Sequence, residues 1–244
     1  MIPSWLHGLS IAFLILGAAC AAGIAADVAR HPQRMGIMDL VWPVTALFGT
    51  GATAWMYVRY GRLAAKQPGP AAHGDGKDGT GHALVPFPVM VAKGALHCGS
   101  GCCIGDICAE WLAFFVPSVA VWFGWQHLFA EKMFAVWVLD FVFAFALGVA
   151  FQYFTIVPMR HLGRLEGIWQ AVKADTLSLT AWQVGMYGFM AVAKFWLFGA
   201  LLGAALDADS PEFWFMMQLA MLCGFVTSYP VNWWLLKAGV KEKM

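Results

Sequence analysis

Charge is the scarcest commodity in this chain. Only 12% of its 244 residues are charged and 61% are hydrophobic, whereas a soluble globular domain carries roughly 25% charged residues. With a net charge of +1 there is no basic excess to neutralise phosphates, which argues against nucleic acid as a partner. The phosphate-binding pattern G-x4-G-K-S/T is missing, so any transport would be passive or coupled to an ion gradient. Paired C-x2-C spacings are missing too, which speaks against a structural zinc site and against thioredoxin-type redox chemistry. No internal repeat is visible.

What the chain has instead is long apolar runs. Six segments, 2–26, 39–58, 107–129, 133–157, 177–206 and 211–236, reach the roughly 17–25 residues that a helix needs to cross a bilayer. Their period is not that of barrel strands, and backbone groups in lipid must be satisfied internally, so helices are predicted. Trp5, Trp42, Tyr57, Trp125, Trp137, Trp169, Trp214 and Trp233 collect near segment ends, as interfacial aromatics do. The first run lacks a positive n-region and is too long for a signal-peptide core, so it reads as a retained span. The expectation is an all-α, polytopic membrane bundle of about six spans in the lipid bilayer of the inner (plasma) membrane.

Lys and Arg divide unevenly between the predicted loops. Eleven fall after the second span, after the fourth and in the tail, against three on the other side. The positive-inside rule then places both termini in the cytoplasm. The Gly/Pro/Asp-rich stretch 66–86, in which His73 and His82 flank a Gly/Asp run, reads as a tether. The organisation predicted is a transmembrane hairpin over 1–65, a linker over 66–92 and a four-span core over 93–244.

The most unusual stretch is HCGSGCCIGDICAE at 97–110, with four of the six cysteines, a histidine and two carboxylates. In a helix, Cys98, Cys102, Asp106 and Glu110 are spaced i, i+4, i+8, i+12 and form one ladder on one face. Thiols are soft ligands suited to Cu(I), and intramembrane carboxylates are costly unless they do something. His97, Cys98 and Cys102 are the predicted capture set, with Asp106 and Glu110 deeper. A break or helix start at His97 would let its ring swing toward the thiols. Gly101-x3-Gly105 would admit a close helix neighbour. Cys103 and Cys108 read as packing.

Polar stripes accompany this segment. Asp140 and Gln152 lie in the fourth span. Asp175, Thr176, Thr180, Gln183 and Tyr187 lie in the fifth. Gln218, Phe225, Ser228 and Asn232 follow helical spacing in the sixth. Two Met-x3-Met pairs, Met186/Met190 and Met217/Met221, stack thioethers, which are also soft ligands. All are expected to face a common axis.

The blocks HCGSGCCIGD with AEW, LDF…GVAFQYFTIVPMR, KADTLSLTAWQVGMYG and TSYPVNWWLLKAGVKEKM resemble an uncharacterised, mostly bacterial integral-membrane family, a domain of unknown function, over about 93–244. The resemblance implies a metal context, because members often accompany copper-handling partners; Lys194 and Cys103 look like local departures. The leading expectation is a protein that binds, and transports or sequesters, a soft metal ion such as Cu(I), supplied by a metal chaperone. Two alternatives stay open: a membrane thiol oxidoreductase using Cys98 and Cys102, and an accessory membrane subunit whose polar stripes are interhelical glue.

Overall fold

The computed structural model describes residues 2–62, 85–160 and 163–241, apart from the side chains of 158–160. His73 and His82 lie outside the described residues. The described chain is helical: α1 (Ser4–Arg30), α2 (Met38–Met56) running into a π-helical turn Tyr57–Gly61, α3 (Phe87–Phe115), the short α4 (Ser118–Trp122), α5 (Lys132–Arg160), α6 (Arg164–Ala191) continued by a π-helical stretch Val192–Leu202, and α7 (Pro211–Lys237). Five of these are long and apolar enough to cross a membrane. At 1.5 Å per residue the shortest apolar span, with 26 residues, reaches about 40 Å, more than the hydrocarbon core requires. Apolar side chains such as Trp5, Ile15, Val142, Phe154, Val184 and Val226 stand exposed on the outside of the bundle, the surface that lipid covers. The protein is a helical membrane bundle.

The predicted second span does something else. Its residues do form α2, but Thr50 breaks the helix with φ 44° and ψ −127°, a conformation sterically unfavourable for a threonine. The chain reverses there. At the start of α2, the Asp39 carboxylate accepts from the Gln33 backbone N–H at 2.7 Å. Beyond α2, the Tyr57 hydroxyl donates to Asp27 at 2.7 Å and Arg62 pairs with the same carboxylate at 3.2 Å. Both ends of the segment therefore sit at the C-terminal end of α1. Its tip reaches the middle of the bundle, where the Leu47 carbonyl accepts from Gln218 Nε2 at 2.6 Å. Residues 38–62 are a re-entrant hairpin that turns at Thr50, and Gly49, where an added Cβ would overlap the Thr53 side chain, leaves room for the returning strand of chain. Exposed backbone at membrane depth is tolerated because α1, α3 and α7 pack around it.

This changes the relation of the termini. His7, near the start of α1, bonds Glu212, at the start of α7, at 2.7 Å. Tyr229, near the end of α7, donates to the Pro88 carbonyl at the start of α3. The N-terminal end of α1 and the C-terminal end of α7 therefore lie at opposite ends of the bundle, where the sequence predicted both termini on one side.

A second correction concerns α3. The apolar run 107–129 predicted a span beginning at the cysteine cluster. The helix instead covers Phe87–Phe115, ending before Pro117, and the cluster lies at its centre. Glycine, serine and cysteine make 94–105 look unlike a span, yet the small side chains are what let α3 become the most buried of the five crossing helices. No break occurs at His97.

Close helix approach is specific. A Cβ added at Gly105 would lie 2.6 Å from the backbone nitrogen of Ala144 and 2.8 Å from its Cα, and one at Gly101 would lie 3.1 Å from the nitrogen of Gly148. The predicted Gly-x3-Gly face is thus the α3–α5 contact. Gly99 and Gly224 leave room for the buried ring of Trp182 between α3, α6 and α7. Gly105→Ala meets backbone rather than a movable side chain, so it should cost about 1–3 kcal/mol, read as a lowered melting temperature in detergent. A variant as stable as the parent would show the α3–α5 contact to be looser.

Candidate functional site

The ladder predicted on α3 is present. Cys98, Cys102 and Asp106 are fully buried and Glu110 is almost so. It runs between two polar assemblies at opposite ends of the bundle.

At one end, three segments converge on Cys98. Its thiol donates to Asp175 Oδ1 of α6 at 2.6 Å and accepts from Ser178 at 3.2 Å. The ammonium of Lys241 donates to Cys98 Sγ at 2.9 Å, to Asn232 Oδ1 at 2.7 Å and to the Gly94 carbonyl at 3.0 Å. Asn232 Nδ2 in turn donates to Ser178 Oγ at 2.7 Å. Lys241 arrives there because α7 ends in a turn at Gly239, with φ 69°, and the Val240 and Lys241 N–H groups both return to the Leu235 carbonyl. All five side chains are buried, so an ammonium ion is held in a cage of lone pairs with the Asp175 carboxylate nearby. Lys241 carried no signal in the sequence beyond the helix-ending glycine before it.

Below this, the ladder passes Cys102 to a carboxylate cluster. Asp106 and Glu110 of α3 and Asp140 of α5 lie close enough to act on one another electrostatically. Gln183 of α6 approaches Asp106 without reaching hydrogen-bond geometry. Both carboxylate oxygens of Asp106 and of Asp140, and both amide atoms of Gln183, lack a hydrogen-bond partner among the described residues. Unpaired buried polar groups cost free energy, and fully buried ones without partners call for an explanation beyond packing. At the far end, Glu110 opens into a cavity of about 350 Å³ walled by Lys132, Lys194, Asp207 and Asp209.

Other predicted residues are distributed differently. His97 is buried but faces α5, with Nε2 3.1 Å from the Thr155 hydroxyl and its ring against Phe151; Cys98 faces α6 and α7. The structure does not bring the two together, because an unbroken helix turns neighbours about 100° apart. Among the described residues no three His, Cys, Asp or Glu side chains are grouped to hold a metal ion. Thr176 and Thr180 point outward and bond the carbonyls four residues earlier; the interior stripe of α6 is Asp175, Ser178, Gln183, Met186 and Met190. Gln152 of α5 is buried with both amide atoms unpartnered among the described residues. The stripe Gln218, Met221, Ser228 and Asn232 faces inward as predicted, as does Met217. Cys103 is buried and Cys108 exposed.

The ladder, the α6 stripe and the α7 stripe all fall within residues 89–241, which match the domain of unknown function DUF4396. The chain belongs to the DUF4396 family. In this member α1 and the re-entrant hairpin precede the matched region and pack against its α3 and α7. No curated protein and no solved structure matches the chain.

Proposed function

We propose that this DUF4396 protein conducts a cation across the membrane along α3, and that a soft metal ion such as Cu(I) is the cargo its side chains suit best. The observation that carries the reading is the continuous buried ladder Cys98–Cys102–Asp106–Glu110, which ends in an open cavity and includes a carboxylate with no hydrogen-bond partner among the described residues. Ionisable groups inside a membrane bundle mark ion or proton pathways, and glue alone would leave its carboxylates paired. Thiols and the buried thioethers of Met186, Met190, Met217 and Met221 favour soft over hard cations. His97 is not in the ladder, so it serves the α3–α5 contact in this reading rather than capture.

A thiol oxidoreductase fits less well. Cys98 and Cys102 are both free thiols on one continuous helix, where Cβ atoms four residues apart are about 5–6 Å from each other, and a disulfide needs about 3.5–4.5 Å.

The orientation follows from charge. Arg30, Arg34, Arg59, Arg62, Arg164, Lys237 and Lys241 belong to the end where Lys241 meets Cys98, while Lys132 and Lys194 border the Glu110 cavity. The positive-inside rule puts the Cys98 end in the cytoplasm and the cavity outside. With five crossings, reporters fused after residues 66 and 243 should both read cytoplasm and one at the N-terminus should read the opposite side. An N-terminal reporter that also reads cytoplasm would mean that the re-entrant segment crosses after all.

Cells overproducing the protein should change their copper content under copper stress, measured by elemental analysis, and Cys98→Ala/Cys102→Ala should return it to the vector level. Equal content for parent and variant would make the thiols packing and favour the accessory-subunit reading.

A further inference from the structure

On the face of α3 that carries the ladder, Gly94 is the next position outward from Cys98, one turn closer to the helix start. The stem of Lys241 lies over that glycine. A Cβ added at Gly94 would lie 3.9 Å from Lys241 Cε, 3.8 Å from Asn232 Oδ1 and 3.7 Å from Leu236. The lysine side chain therefore follows the line of the ladder inward and ends on its first rung. There the ammonium has shed its water: Lys241 is 2% exposed. In place of water it donates to the Cys98 sulfur, the Asn232 side-chain carbonyl and the Gly94 backbone carbonyl, at 2.7–3.0 Å. The fully buried Asp175 carboxylate acts on the same charge. Carbonyl oxygens that replace a hydration shell, backed by a carboxylate, are how membrane proteins hold a dehydrated cation. Nothing in this set of acceptors, drawn from α3, α6 and α7, requires the cation to be covalently attached.

From this we infer that the cage is the entry site for a monovalent cation at the Cys98 end of the ladder, and that Lys241 is a tethered cation that occupies the site and closes the route. The inference deepens the cation-route reading and rests on it for the identity of the mouth. A free cation and the Lys241 ammonium compete for the same lone pairs, so the entry site and its closure are one structure. The tether is short and its hold is local. Past α7 the chain turns at Gly239, with φ 69°, and the Val240 and Lys241 N–H groups share the Leu235 carbonyl. A rotation at that glycine withdraws the ammonium without unwinding α7.

The test replaces the tethered cation by a free one. Lys241→Ala removes from the side chain what propylammonium can give back. The full-length variant is purified and reconstituted in propylammonium nitrate, and the amine is dialysed away where its absence is to be read. In detergent, the melting temperature of Lys241→Ala should rise with propylammonium concentration, as it does for any ligand of the folded state, and should not respond to 1-propanol. Lys241→Met, whose side chain fills the place of the stem, should ignore the amine. In sealed liposomes without the amine, Ag(I) uptake by Lys241→Ala should exceed the parent's by about tenfold, as for a mouth closed about nine-tenths of the time and then left open. Propylammonium should bring uptake back toward the parent's rate while it stabilises the fold. An amine that raises melting temperature and uptake together would make Lys241 a structural member of the working protein and overturn the plug. A melting temperature that ignores the amine, or follows 1-propanol equally, would overturn the cage as a cation site. Amine-specific stabilisation in a protein that carries no ion in either form would uphold the cage and sink the conduction reading instead.

Discussion

Asp106→Asn should leave the protein folded and stop it working. The carboxylate makes no hydrogen bond to any described residue, so the substitution removes none, and it replaces an ionisable group by a neutral one of the same shape in a fully buried position. Unpartnered buried groups are a cost to the fold, and the melting temperature in detergent should be equal to the parent's or higher. Cation movement should fall by about tenfold or more, the factor that follows from losing about 1.4 kcal/mol of cation stabilisation. The two readouts separate the rival accounts. If the polar stripes were interhelical glue, Asp106→Asn would lower the melting temperature and there would be no transport to lose.

Lys241→Met should have the largest effect on stability. It deletes the ammonium that bonds Cys98, Asn232 and the Gly94 carbonyl and leaves Asp175 buried without its nearest cation. Breaking a buried charge cluster by removing one member costs about 3–5 kcal/mol, which for a chain of this size is roughly 10 °C in melting temperature. Adding Asp175→Asn should recover part of the loss, because the remaining charge is then no longer stranded; groups in one network are non-additive by about 0.5–3 kcal/mol. Simple additivity of the two substitutions would place Asp175 outside the Lys241 network.

The sequence spoke most clearly where local spacing decides the outcome. The ladder Cys98, Cys102, Asp106, Glu110 follows from helical geometry alone, and so does the inward stripe of α7. The close approach at Gly101 and Gly105 was legible for the same reason. Hydropathy misplaced the boundaries of α3, because a helix buried inside a bundle can be built of glycine, serine and cysteine, and the apolar 116–129 that follows is cut by Pro117 and by a turn at Gly124 with φ 102°. The reversal at Thr50 was hidden because Gly49-Thr50-Gly51 interrupts an otherwise apolar run without a charge or a proline to mark a turn. Thr176 and Thr180 share a face with each other but satisfy their hydroxyls on their own helix, so polarity did not require an interior position. Lys241 and Cys98 are 143 residues apart, and only the packing of α7 on α3 brings them together.

The most direct test of the central claim is cation flux through the purified protein in sealed liposomes, followed with a fluorescent reporter inside the vesicles as Cu(I), Ag(I), sodium, potassium or protons are offered in turn. The account predicts uptake above that of empty vesicles for the soft ions, abolished by Asp106→Asn in protein that remains folded. Uptake no faster than through empty vesicles for every cation offered, or uptake that Asp106→Asn leaves untouched, would contradict it.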